Sequence, residues 1–201
     1  MAPYILDTVA QRRHAVEWAL KVTADSALAP GRYERQLLAR FEQGELSLDE
    51  VIGLLDAATY YLLYRSHATA RPMAAELEDM LSQARVYNAA ADVTGLLLYH
   101  DGRYVQVLEG PKCAVREVYA RICRDPRHVH VITINEGLGP ARRFPTWRTA
   151  LGSVTQPAGN RMFSVALASK PFDGVPFDEP LLNQLLEAGG IGPDHLLPEA
   201  A

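Results

Sequence analysis

One hairpin limits the fold of this chain more than any other feature: residues 94–110, TGLLLYHDGRYVQVLEG. Its Asp101-Gly102 pair lies between two apolar runs, and Asp-Gly favours the positive φ angles that a two-residue hairpin turn requires. The flanking segments are therefore predicted to be paired antiparallel strands. With His100 and Arg103 beside the turn, side-chain alternation places a largely apolar set on each face: Tyr104, Gln106 and Leu108 with Leu97 and Tyr99, and Val105 and Val107 with Leu96 and Leu98. A hairpin that is apolar on both faces is predicted to be central in its sheet.

Gln106 is the unusual residue of this hairpin, because a buried amide must satisfy two donors and two acceptor lone pairs. Other polar side chains are predicted on the same, helix-facing side of the sheet: Tyr64 and Ser66 on the first strand, and Asn88 at the end of a helix. Each of them alone is more typical of a satisfied hydrogen bond in a core. Together they indicate a planar, polar ligand between two helices.

Hydrophobic periodicity along residues 58–153 predicts secondary structure in the order β-α-β-β-α-β-β. The segments are the strand YYLLYRS, the helix MAAELEDMLSQARVYNAA, the hairpin, the helix CAVREVYARICRD, and the strands VHVITIN and WRTALGSV. Right-handed crossovers place both helices on one face of the sheet, which is the ferredoxin-like α+β fold. The apolar opposite face needs a cover, for which the candidates are the C-terminal segment FDEPLLNQLLEAGG, the N-terminal helices or a second subunit.

The chain is predicted to have three parts: a helical extension at residues 1–57, the sheet domain at 58–153, and a partly helical C-terminal segment at 154–201 that covers the sheet. Three helices are predicted in the extension, and the third opens with the capping box SLDE at Ser47–Glu50. Because DAATYY leaves almost no linker before the first strand, the extension is predicted to dock on the sheet domain or on that of a dimer mate.

Composition narrows the classes of partner. The formal net charge is −4 over 201 residues, which disfavours a general nucleic-acid-binding surface. Apolar runs are too short to span a bilayer, and the N-terminus MAPYILDTVAQRR lacks the pattern of a signal peptide, so a cytoplasmic protein is expected. Cys113 and Cys123 have no metal-ligand spacing and are predicted to be reduced, partly buried thiols.

Motifs for enzymatic chemistry are missing from the sequence. There is no GxGxxG, GxxxxGK[ST], GxSxG or HExxH, so the chain is not expected to be an enzyme. His128 and His130 are placed by strand spacing on the same face, where they could ligate a metal, but polar packing is the favoured interpretation because a third ligand at a telling distance is lacking.

Four segments in order, YLLYRS, QARVYNAAADVTGLLLYHDGRYVQVLEG, ICRDPRHVHV and RRFPTWRTALG, resemble the successive motifs of the BLUF family, whose members are blue-light sensors that use a flavin. The resemblance covers about residues 60–153. It is specific because the tyrosine, the asparagine, the glutamine and the RDxRH element recur together at matching spacing.

The resemblance implies that a flavin lies between the two helices, with FAD expected and FMN or riboflavin as alternatives. The family tyrosine matches Tyr64, the glutamine beside the flavin matches Gln106, and the asparagine at the pyrimidine edge matches Asn88. Further cofactor contacts are expected from three residues: Ser66, Arg127 and His128. In this family the excited flavin takes an electron and a proton from the tyrosine, and recombination leaves the glutamine with rearranged hydrogen bonds.

One departure from the family pattern lies on the last strand. Members commonly have a tryptophan and, two residues later, a methionine; here Trp147 is present and Thr149 occupies the methionine position. Both are predicted to belong to the photoactive site with Tyr64 and Gln106. A hydroxyl in place of a thioether implies a different contact with Gln106, so the route by which the signal leaves the site is open.

Two functions follow as expectations. The first is a photoreceptor whose light state alters a protein-protein contact, acting on a separate downstream effector and expected to form a homo-oligomer. The alternative is a ligand-free ferredoxin-like module for oligomerisation or partner binding. Bound flavin in the purified protein distinguishes the two.

Overall fold

The computed structural model describes residues 6–70, 72–100 and 102–151. These residues divide into two compact units. The first contains residues 6–58 with 137–141, and the second contains residues 59–136 with 142–151. The C-terminal segment at 154–201 lies outside the described residues, so its predicted helices and its predicted place on the sheet stay predictions.

The first unit contains three helices: α1 (Val9–Thr23), α2 (Arg32–Gln43) and α3 (Leu48–Asp56). The predicted capping box is confirmed, since Ser47 Oγ accepts the Glu50 N–H at 3.2 Å and the Glu50 carboxylate accepts the Ser47 N–H at 2.7 Å. A second capping box, between Thr8 and Gln11, opens α1. The helices pack on a small core that consists of Val16, Leu37, Phe41, Leu46 and Val51.

The second unit has the predicted β-α-β-β-α-β-β order. Its elements are β1 (Thr59–Ala68), α4 (Ala74–Ala90), β2 (Thr94–His100), β3 (Arg103–Gly110), α5 (Lys112–Arg124), β4 (His128–Gly139) and β5 (Arg148–Leu151). The strands form one sheet in the order β4-β1-β3-β2-β5. This confirms the ferredoxin-like α+β fold.

The hairpin has the predicted register. Gln106 pairs with Leu97, and Arg103 pairs with His100 beside the turn. Gly102 has a φ of +75°, as the turn requires, while Asp101 lies outside the described residues. Because β3 lies between β1 and β2, the predicted central position is confirmed. The apolar side chains of the face opposite Gln106 are all buried: Leu96, Leu98, Val105 and Val107.

The prediction that His128 and His130 share one face is wrong. His130 has a φ of +50°, a left-handed conformation that breaks the alternation of β4. His128 contacts Ser66, whereas the ring of His130 lies 5.8 Å from that of His67. Ser66 and His67 are neighbours on β1 and point to opposite faces, so the two histidines are separated.

The cysteine prediction is half wrong: both thiols are free, as expected, but both are exposed. The buried side of α5 is formed by Val115 and Val118, and the spacing of Cys113 and Cys123 places them off that stripe. Of the helices described between residues 6 and 151, none is long and apolar enough to cross a membrane.

Candidate functional site

A cavity of about 580 Å³ lies between α4 and α5, above the helix-facing side of the sheet. Its volume is within the ordinary range for small-molecule sites. The walls are largely apolar, with Leu81 from α4, Leu97 from β2, and Val118 and Ile122 from α5. Five of the polar residues at the cavity are ones that the sequence predicted, namely Tyr64, Asn88, Gln106, Arg127 and His128.

Tyr64 and Gln106 form the floor of the cavity. They are directly opposite each other on β1 and β3. Tyr64 is 0% exposed and Gln106 is 5% exposed. The Tyr64 hydroxyl donates a hydrogen bond to Gln106 Oε1. Burial raises the pKa of the Tyr64 phenol well above its ordinary value, so the phenol keeps its proton at neutral pH. Because Gln106 accepts with its oxygen, its NH₂ group is left to donate to a ligand.

Tyr119 of α5 is a neighbour of this pair that the sequence placed on the helix stripe but did not connect with the site. Its ring centroid lies 5.3 Å from that of Tyr64, within the range of favourable aromatic contacts. The Tyr119 hydroxyl is 2.8 Å from Thr133 Oγ1 on β4. Tyr64 is thus held in place by an aromatic contact as well as by its own strand.

Asn88 lies in the last turn of α4 and is almost fully buried. Its carbonyl accepts N–H groups from Ala91 at 3.2 Å and Val93 at 2.8 Å, which close the helix before β2. These bonds fix the backbone of Asn88 where its amide side chain lines the cavity. An amide at this wall can both donate to and accept from the edge of a ligand ring.

Arg127 lines the cavity as half of an ion pair. Asp125 accepts the Arg127 backbone N–H at 2.9 Å and the guanidinium Nε–H at 2.9 Å. The hydrogen bond with Arg127 lowers the pKa of the Asp125 carboxyl, so Asp125 is ionised at neutral pH. A ligand at this wall therefore meets a guanidinium whose charge is already compensated.

His128 connects this wall with Ser66. Its Nδ1 lies 2.8 Å from Ser66 Oγ, and its ring centroid lies 4.6 Å from that of Tyr104. Burial lowers the pKa of the His128 imidazole, which favours the neutral ring. Ser66 is fully buried but does not line the cavity; it contacts His128 instead.

Tyr87 and Arg121 are among the cavity residues on the helices that the sequence analysis missed. The guanidinium carbon of Arg121 lies 3.4 Å from the ring centroid of Tyr87, and the Tyr87 hydroxyl donates to Glu117 Oε1 at 3.2 Å. Tyr87 belongs to α4, while Glu117 and Arg121 are one turn apart on α5. These contacts connect the two helices beside the cavity, and the i, i+4 spacing on α5 was their only trace in the sequence.

Trp147 lines the cavity and packs on a cluster that includes Leu81, Leu97 and Tyr104. Its indole Nε1 is buried and, within the described part of the chain, has no hydrogen-bond partner. The backbone of Thr149 lies in β5 opposite Leu97 of β2. The side chain of Thr149 lies outside the described side chains, so its predicted contact with Gln106 stays a prediction.

These groups fit a planar heteroaromatic ligand with one polar edge. Apolar walls suit the faces of a fused ring, and the amides of Gln106 and Asn88 suit its oxygens and nitrogens. Trp147 adds an aromatic ring to the same wall. The isoalloxazine of a flavin has this combination of apolar faces and polar edge.

Comparison with known proteins points to the same group. Residues 59–150 match the family model described as BLUF, sensors of blue-light using FAD. The blue light- and temperature-regulated antirepressor BluF of Escherichia coli K12 is 41% identical over 83 residues, which are 41% of this chain and 21% of that protein. The beta subunit of photoactivated adenylate cyclase from Euglena longa is 41% identical over 102 residues, 50% of this chain and 12% of that protein.

A solved structure supports the fold. The dark-state structure of the BLUF protein BlrB is 29% identical with a TM-score of 0.51, and the match covers 56% of this chain and 87% of that one. This chain spans only about a fifth of the antirepressor and about an eighth of the cyclase subunit. Residues 59–150 are a BLUF domain, a blue-light sensor that uses FAD.

Proposed function

We propose that this chain is a blue-light photoreceptor that binds oxidised FAD non-covalently between α4 and α5, and that Gln106 is its switching residue. The observation that carries the proposal is the hydrogen bond from Tyr64 to Gln106 at the floor of the cavity. A buried amide that accepts from a tyrosine and still has an NH₂ group to donate suits a bridge between that tyrosine and a flavin.

The remaining contacts have distinct proposed roles. Asn88 would hold the pyrimidine edge of the flavin, and Arg127 and His128 would line the opposite wall. Ser66 would act through His128, since it contacts that ring rather than the cavity. Trp147 would contribute to the wall of the same cavity, and Thr149 stays a proposed member of the photoactive group.

A bound flavin would supply a group that absorbs blue light and can accept an electron from a nearby phenol. Tyr64 would supply the electron, and the hydrogen bond from its hydroxyl to Gln106 supports this role. Reorientation or tautomerisation of the Gln106 amide changes which end donates and which accepts, a choice open to an amide but not to an aliphatic or ionised carboxylate side chain. Tyr64 would then regain its electron and proton, so that no net chemistry occurs and only the hydrogen-bond network is changed.

The output of the chain is proposed to be a changed contact with a separate effector protein, and the chain itself is proposed not to be an enzyme. Relatives that contain a domain of this kind are named as an antirepressor and as cyclase subunits, so the sensor accompanies more than one output. The described residues hold no group of three or more potential metal ligands. Self-association and a cytoplasmic location stay predictions from the sequence.

The helical unit of residues 6–58 is our candidate for the region that responds to light. Its core is small, and α1 presents Trp18 at 64% exposure and Val22 at 61% exposure, which are apolar side chains available to a partner. Hydrogen exchange in the dark and under continuous blue light tests this. Equal protection of residues 6–58 in both states would move the output to the residues after 153.

The central test is the absorption spectrum of the purified chain after reconstitution with FAD. We expect a yellow protein that shows a small red shift after blue light and recovers in the dark. A folded protein that stays colourless with excess flavin would reject the proposal and leave the ligand-free binding module. A yellow protein with no reversible shift would retain flavin binding and reject the sensing function.

A further inference from the structure

Glu109 is a buried carboxylate that plays no part in the proposed photochemistry. It lies on β3 three residues after Gln106, paired with Tyr61 of β1 and Thr94 of β2. Side-chain alternation turns it to the face opposite the cavity, and it is 1% exposed. Val105 and Val107 occupy the same face, so an apolar side chain would fill this position without the cost of burying a charge.

The carboxylate is satisfied by the backbone of a distant segment. Glu109 Oε2 accepts the N–H of Arg143 at 2.9 Å and the N–H of Phe144 at 2.8 Å. Two consecutive amides that converge on one oxygen form an anion-binding nest. These hydrogen bonds offset part of the desolvation of the carboxylate, and they hold the segment between β4 and β5 against the central strand.

The same segment is fixed on its other side by Arg142. Its guanidinium donates to the carboxylate of Asp92 at 2.7 Å and to the carbonyl of Asp92 at 2.9 Å. Phe144 is fully buried. Three residues later Trp147 lines the cavity, and β5 then pairs with β2. The anchored amides therefore set where the chain enters the cavity wall.

We propose that Glu109 is a positioning residue that holds residues 142–147 and thereby keeps the indole of Trp147 at the cavity wall. It couples β3, which carries Gln106, to the strand that follows Trp147. The first half of this proposal concerns the flavin-free chain, and only the coupling to light rests on the proposed function. A shift of β3 at Gln106 would reach residues 142–147 through the two hydrogen bonds of Glu109.

The test uses the full chain with Trp18→Phe, so that Trp147 is the only tryptophan. Glu109→Leu removes the acceptor, and Glu109→Gln retains a neutral one. Val105→Ala is the matched control, since it perturbs the same face of the same strand without touching these amides. Flavin-free protein is used to measure acrylamide quenching of Trp147 and hydrogen exchange of the Arg143 and Phe144 amides.

We expect Glu109→Leu to accelerate exchange of the two amides at least about tenfold, which corresponds to about 1.4 kcal/mol of lost protection, and to increase the quenching of Trp147. Glu109→Gln should give a smaller change in the same direction, and Val105→Ala should leave both measurements near wild type. Unchanged exchange and quenching in folded Glu109→Leu would overturn the proposal, as would equal changes in Val105→Ala. If Glu109→Leu does not fold, wild-type values in Glu109→Gln would overturn it.

The light-dependent half is measured separately on flavin-loaded protein. Glu109→Gln should alter the dark-recovery rate by several-fold while the dark spectrum is unchanged, because Glu109 does not touch the cavity. An unchanged recovery rate would reject the coupling while leaving the positioning role intact. Failure of the wild-type chain to bind flavin would reject the proposed function and leave the measurements on Trp147 valid.

Discussion

Gln106 and Glu109 lie three residues apart on the same central strand, and both have buried polar side chains. The two side chains differ in their hydrogen-bond partners. On the helix side, the oxygen of Gln106 accepts from Tyr64, and the residue lines a cavity between α4 and α5. On the other side, Glu109 accepts from the backbone of Arg143 and Phe144. The first arrangement leaves hydrogen-bonding capacity for a ligand, while the second uses it within the protein.

The difference shows how a binding residue can be distinguished from a structural one when both are buried and polar. A structural residue has partners supplied by the chain, and its removal leaves those partners without a hydrogen bond. A binding residue has part of its capacity directed into a space. Changing the two residues in matched ways should therefore affect different measurements.

The largest expected effect is on the helix side. Gln106→Leu and Tyr64→Phe should each abolish the reversible red shift while flavin stays bound, because each removes one member of the bridge and keeps the apolar walls. Unfolding free energy should change by about 1 kcal/mol or less, the usual scale for one hydrogen bond. Absorption spectra before and after blue light, together with thermal melts, measure both quantities. A normal shift in either variant would mean that the bridge is wrongly assigned.

A second test exchanges the amide and the carboxyl between the positions of Gln106 and Glu109. Gln106→Glu places a carboxyl beside Tyr64 with no backbone amides converging on it, and Glu109→Gln keeps an acceptor for two amides. We expect Gln106→Glu to lose the photocycle and to lower the unfolding free energy by several kcal/mol at neutral pH, since an unpaired charge is buried. Glu109→Gln should cost about 1 kcal/mol and retain the red shift. Denaturant unfolding and difference spectra of both variants test this expectation. Equal effects of the two substitutions on stability and on the red shift would mean that Gln106 and Glu109 do not have different roles.

A smaller effect is expected from Thr149, whose backbone lies opposite the cavity residue Leu97. Thr149→Met restores the residue type that the family commonly has at this position. The dark-recovery rate should change by several-fold, because a flexible thioether repacks the space near Gln106, while the dark spectrum stays almost the same. Flash photolysis of the two proteins is the measurement. An unaffected recovery rate would place Thr149 outside the photoactive group.

The smallest expected effect is on the pH dependence of stability, to which the two buried titratable groups Glu109 and His128 should contribute with opposite signs. Burial raises the pKa of Glu109, so the unfolded chain releases this proton at lower pH than the folded protein does, and acidification stabilises the wild type relative to Glu109→Gln. Burial lowers the pKa of His128 below 6.5. The unfolded chain then takes up a proton first as the pH falls through about 6.5, and acidification destabilises the wild type relative to His128→Gln.

Denaturant unfolding at about pH 7 and about pH 5 provides both comparisons. Each variant is compared with the wild type at the same pH, so that the other titrating groups cancel. The same sign for both variants would mean that one of the two buried environments is misjudged.

Much of the fold followed from local sequence. The Asp-Gly turn and the alternation around it predicted the register of the hairpin, in which Gln106 lies opposite Leu97. The pairing of Gln106 with Tyr64 depends on the register between β1 and β3 and was not predicted. Periodicity of 3.6 residues located α4 and α5, and so the cavity between them. Side-chain identity and spacing were enough to predict that Asn88, Gln106 and Tyr64 lie near one another on the helix-facing side of the sheet, because each projects from a regular helix or strand.

Other features depended on contacts that local sequence does not encode. Glu109 looks like a polar residue at a strand end, and its partners lie 34 and 35 residues away in an irregular segment. The pairing of Asp125 with Arg127 was not anticipated, although the two are close in sequence, because turn geometry decides whether such side chains meet. The left-handed backbone at His130 has no compositional signal, and it overturned an inference made from strict alternation.

The left-handed backbone conformation at His130 has a consequence for association between copies of the protein. β4 is a terminal strand of the described sheet, and its outer row of backbone groups is a potential template for another chain. A left-handed residue two positions into the strand interrupts the regular spacing of those groups. An incoming strand cannot form a continuous ladder across the break, so pairing with another chain along this edge would be interrupted at His130.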